Sequence, residues 1–201
     1  VNHPNMGFPE SVFVKAKNLF FGGYIYMNKK LLLAIITTIL MGGFASAIVP
    51  ESNYAESAIE KIKITDSDVP AGFTYGQIPP FAKTVLLNNP WEMNRAAINK
   101  LTKNIYPNGD ASAVRKMHLS ILAKNNHPYG YDIVCYIIIF TDGSAARKEI
   151  EKLSAYSKHN SDRTILVTNG NLAVFLIAND INNYKYIDEM KTKMEQRISS
   201  L

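Results

Sequence analysis

His118, His127, Tyr129, Tyr131 and Asp132 lie close together in the sequence. An imidazole beside a carboxylate can move protons near neutral pH, and the same groups can hold a cation. If residues 113–124 form a strand, all five gather near one hairpin. His118, His127, Tyr129 and Asp132 are therefore the candidate site, and the enzyme reading rests on His118, His127 and Asp132. The competing reading is that loop histidines and tyrosines are solvated or capping groups. One cysteine and four histidines, with no Cys-x-x-Cys or His-x-x-x-His, supply no metal-ligand spacing, so no metal site is expected.

Other chemistry has less foothold. Asp66 and Asp68 could face a cation, but the residues after them lack the remaining ligands of a calcium loop, and turn hydrogen bonds explain them more simply. Cys135 stands among bulky apolar residues, where a thiol behaves as a small hydrophobe. There is no Gly-x-Ser-x-Gly elbow, P-loop or Gly-x-Gly-x-x-Gly, so no catalytic residue is assigned and no cofactor is expected. Trp91 with Arg95 at helical spacing reads as a recognition patch or, more simply, as an anchor to the core.

The most specific signal concerns destination. From Met27, Asn28, Lys29 and Lys30 precede an apolar run from Leu31 to Phe44 that ends in Ala45, Ser46 and Ala47. A positive segment, an apolar helix and an Ala-x-Ala site in that order make residues 27–47 a signal peptide. Small side chains at Ala45 and Ala47 suit the peptidase subsites, which puts cleavage between Ala47 and Ile48. The alternative is a retained anchor helix, weakened by Thr37, Thr38, Gly42, Gly43 and Ser46, because a span wants about 20 predominantly apolar residues. Residues 1–26 read as an extended or non-native leader, with Met27 as the start. No cysteine follows the apolar run to carry a lipid. A periplasmic or secreted product with no stable membrane span after cleavage is expected.

Composition agrees with a folded product. The 201 residues are 47% apolar and 19% charged, which excludes a disordered or collagen-like chain. The net charge of +5 owes much to Lys15, Lys17, Lys29 and Lys30. Without those four and Glu10, 18 Lys and Arg face 16 Asp and Glu, a net of +2. No basic cluster interleaved with aromatics remains, so nucleic acid is not an expected partner.

The elements that must position the candidate residues follow from periodicity. Residues 48–58 read as a flexible lead-in and 59–201 as a single domain, with Ile59, Ile62 and Ile64 beginning a short strand. Asn89 and Pro90 start a helix running to Lys103. Strands follow at 113–124 and 131–140, then a helix from the Thr141–Ser144 start signal to about Lys158. Asn169-Gly170 predicts a hairpin in which Val167 faces Leu172, and a helix from about Asn183 to Arg197 closes the chain. The expected fold is α+β: an antiparallel four-stranded sheet built from two strand-strand-helix units, with the helices packed on one face.

Both faces of that sheet are apolar, so the second also needs a cover. The segment from Ile59 to Ile105, a second copy of the chain, or an apolar ligand could supply it. The functional expectation is a non-catalytic binding or interaction module of the bacterial cell envelope, with an envelope protein or self-association as its partnership. The alternatives are a small secreted enzyme and a carrier of an apolar small molecule.

Overall fold

Ile133–Phe140 is apolar at every position but Tyr136, a pattern that suits only a strand buried on both faces. The computed structural model, which describes residues 53–83 and 86–201, places this strand at the centre of a sheet. The segment expected to be a signal peptide, with Ala45 and Ala47, lies outside the described residues, which belong to one compact unit, Ser52–Leu201. The strands are β1 (Phe73–Tyr75), β2 (Trp91–Glu92), β3 (Val114–Lys124), β4 (Ile133–Phe140), β5 (Thr164–Asn169) and β6 (Leu172–Ala178). The helices are α1 (Asn53–Ile62), α2 (Arg95–Ile105), α3 (Gly143–His159) and α4 (Tyr184–Ser199). No helix among the described residues is long and apolar enough to cross a membrane.

The α+β class holds, and the sheet is antiparallel in the order β1-β3-β4-β6-β5. It has six strands rather than four, because β1 and β2 both pair with β3. Strands of three and two residues are too short to show a period, yet they cover the edge that the long, apolar β3 would otherwise leave unpaired.

Both faces of the sheet carry helices, which corrects the expectation of one. On the first face, Cys135, Ile137 and Ile139 of β4 and Leu172, Val174 and Leu176 of β6 join one buried cluster with Ile59 and Ile62 of α1 and Ile187, Met190 and Met194 of α4. On the second face, Phe175 meets Tyr156 of α3 edge-on at 6.0 Å between ring centres. Tyr106, which ends α2, donates to Glu149 of α3, so α2 lies on that side too. Residues 59–105 thus do help cover the sheet, but they contribute to both faces, each of which pairs one early helix with one late one.

Three local departures have identifiable causes. The stretch ending in Ile62 is a helix rather than a strand, because Ile59 and Ile62 fall one turn apart on its buried side. The next helix starts at Arg95, with Asn94 capping it by accepting from the Ala97 N–H at 2.9 Å. Asn89, the expected cap, instead donates to the carbonyls of Gly76 and Ile121 and accepts from the Ile121 N–H. That bracket presents Trp91 and Glu92 to Leu119 and His118 as β2.

In the last hairpin, Asn169 pairs with Leu172, so the loop is Gly170 and Asn171, and Val167 faces Val174 rather than Leu172. Gly170 takes the positive φ (57°), and Asn171 is tied to Phe140 through both its carbonyl and its side chain. A loop with glycine first needs a left-handed backbone only there. Moving the pairing by one residue on each strand leaves every side chain on its expected face. The start of α3 is as anticipated, with Asp142 accepting from the N–H groups of Ser144 and Ala145.

Candidate functional site

The turn between β3 and β4 is closed by its own polar groups. Asp132 Oδ2 accepts from the Lys124 N–H at 2.9 Å, the His127 N–H donates to the Lys124 carbonyl, and the Gly130 N–H donates to the His127 carbonyl. A methyl group built on Gly130 would stand 2.8 Å from Asp132 Oδ2 and 3.0 Å from His127 Nδ1, so these two side chains flank the same glycine. Tyr129 projects outward, 53% exposed. Three of the four candidate residues, His127, Tyr129 and Asp132, are therefore brought together. Asp132 is engaged in closing the hairpin.

His118 is not part of this group. It lies six residues before Lys124 on β3, roughly 20 Å away along the strand. Its side chain belongs to the first face, opposite Ile137 of β4 and Glu92 of β2. Lys116, His118 and Ser120 occupy alternate positions there, all buried, and Lys116 Nζ is 3.1 Å from Glu92 Oε1. Burial, with Lys63 nearby, lowers the pKa of His118, while Glu92 and Glu60 oppose that shift. Among the described residues, His118 Nδ1 and Ser120 Oγ have no hydrogen-bond partner. The signal for this row was present in the alternation of Lys116, His118 and Ser120 with Met117, Leu119 and Ile121, but Glu92 joins it only through β2.

The other candidates are structural. Asp68 is buried and engaged by Thr65 and Arg197, which leaves it no role in an Asp66–Asp68 cation site. Among the described residues, no three His, Cys, Asp or Glu side chains converge as metal ligands. Cys135 is fully buried, and burial pushes its thiol up to about 12, far from reactive thiolate chemistry. Trp91 is buried opposite Leu119 in the middle of β3, while Arg95 donates to the carbonyls of Ala111, Val114 and Arg115 and so fastens α2 to the start of that strand. Buried Glu149 accepts from Tyr106 Oη and the Asp110 N–H and is paired with Lys152.

Neighbouring connections meet the β3–β4 turn. The Gln77 N–H donates to the Pro128 carbonyl at 2.7 Å, the Asn125 N–H to Gly72, and the Asn179 N–H to Asp132. Tyr129 and Ile181 therefore belong to the same end of the sheet. Phe81 and Leu87 lie on the β1–β2 connection, which is tied to that region through Gln77 and Asn89. These four are the exposed large hydrophobic residues among those described. An open groove of about 420 Å³ lies elsewhere, between Leu166–Asn169 of β5 and Glu195, Ile198 and Ser199 of α4, and holds none of the histidines.

No protein-family model matches the chain, and no characterised protein or solved structure is detectably similar to it.

Proposed function

We propose that this is an exported, non-catalytic binding domain that engages a protein of the cell envelope through the connections around the β3–β4 turn. The observation that carries this reading is the position of the exposed apolar side chains. Tyr129 and Ile181 stand out from two different connections at one end of a sheet whose faces are both covered by helices. Loops on a rigid scaffold are where recognition residues concentrate, and tyrosine is favoured in interfaces for its apolar ring and polar tip. His127, beside Tyr129, adds a polar contact at the rim. The leader directs the domain to a periplasmic or secreted location, where such a partner would be met.

The separation of His118 from His127 and Asp132 favours binding over the enzyme alternative. The carrier alternative draws no support from a sheet whose two faces are filled by helix side chains. A photo-crosslinking residue at position 129 should give a discrete protein adduct in cells of the source organism, and Ile181→Asp should reduce its yield at least tenfold. The same probe at Lys148, exposed on α3, should give none. Equal adducts from both positions, or none from position 129, would defeat the proposal.

A further inference from the structure

We propose that His118 is a proton-sensitive latch beneath α1, so that mild acid releases this helix from the sheet while the strands stay paired. His118 is 5% exposed on the first face, and its Nδ1 has no hydrogen-bond partner among the described residues. The residue directly across from it, Ile137, shares its buried cluster with Ala58, Ile59 and Ile62 of α1. Among the described residues, the charges near the imidazole include Glu60 of α1, Lys63 just beyond it and Glu92 of β2, with Lys116 two residues back on the same face of β3. Its neighbours across β4, Cys135 and Ile137, are buried and bear no charge.

A proton added to this ring is placed on the same buried face of β3 as Lys116 and meets the repulsion of Lys63. Glu92 is already paired with Lys116, and Glu60 with Lys63 at 2.7 Å. Imidazolium is therefore better accommodated once α1 has moved away and water reaches the ring. The sign follows from linkage. The closed state disfavours the proton on buried His118 and the released state lets it ionise near its ordinary value of about 6.5, so falling pH favours release. The closed form is fully favoured above that value. Between pH 7.5 and 5.5 the released population rises roughly tenfold, provided the closed state stays neutral across the window. The device acts locally because α1 contributes no strand to the sheet.

Hydrogen exchange resolved by residue tests this on the folded chain. Protection factors for α1 amides should fall roughly tenfold between pH 7.5 and 5.5, with those of β4 and β6 unchanged. In His118→Gln the α1 difference should vanish, and His118→Met serves if the glutamine variant does not fold. An α1 protection that is flat with pH, that falls in step with β6, or that still falls in the variant would overturn the latch.

Discussion

Truncation after Arg163 is expected to abolish cooperative folding. The lost segment contains β5, β6 and α4, and β6 lies between β4 and β5 rather than at the margin. Its removal bares the whole edge of β4 from Ile133 to Ile139. It also strips the first face of Ile187, Met190, Met194 and Ile198. A domain of this size is stabilised by only about 5–15 kcal/mol, less than the burial these residues supply together. The fragment should show no thermal transition by circular dichroism, whereas deletion of residues 1–47 should leave one. A cooperative melt in the fragment would contradict the topology.

The second large effect is expected at the junction of α1, the following turn and α4. Arg197 Nη2 lies 2.8 Å from both oxygens of Asp68, and Nη1 donates to the Lys63 carbonyl at 3.1 Å. Thr65 donates to Asp68 Oδ2 through both its N–H and its hydroxyl. With Asp68 4% exposed, losing the guanidinium removes both of its short charge-assisted bonds and leaves the buried carboxylate only the more distant Lys193, at 3.5 Å. Arg197→Met, which keeps the apolar stem, should cost about 3–5 kcal/mol, or roughly 10 °C in melting temperature.

The pH dependence of that loss has a definite sign. Burial opposes the charge on Asp68, but the bonds from Thr65 and Arg197 outweigh it and hold the carboxyl below its ordinary 3.8. The stabilisation is complete above the unfolded value and is lost as pH falls through the folded one. The gap between wild type and Arg197→Met should therefore be full at pH 7 and narrow below about pH 4. A variant that melts within 2 °C of wild type at pH 7 would show that the clamp contributes little.

The parts of this fold legible in the sequence are those with a long, clean period. β4 and the last hairpin follow from runs of β-branched and aromatic residues, β3, whose spacing suits a helix as well, from its place beside β4, and α3 and α4 from amphipathic patterns, with a start signal at α3. The elements misread are short or have two competing starts. Ile59, Ile62 and Ile64 suit a strand as well as the end of a helix. Asn89 and Asn94 both suit a helix cap, and only the pairing of Asn89 with Ile121 decides between them. Of the candidate site, the local part was legible, since His127, Tyr129 and Asp132 share one turn. Its extension to Ile181 was not, because it depends on β6 returning beside β4 so that Asn179 meets Asp132. The Asp68–Arg197 pair is beyond periodicity for the same reason, as nothing local marks two charges so distant in sequence as neighbours.

Export is the premise on which the proposed encounter with an envelope partner depends. The full coding sequence should be expressed in the source organism and the product's intact mass and location measured. The expected product is a chain that begins at Ile48, released with the periplasmic or secreted fraction. A product that keeps the Leu31–Phe44 segment and stays with the membrane or the cytoplasm would contradict the account.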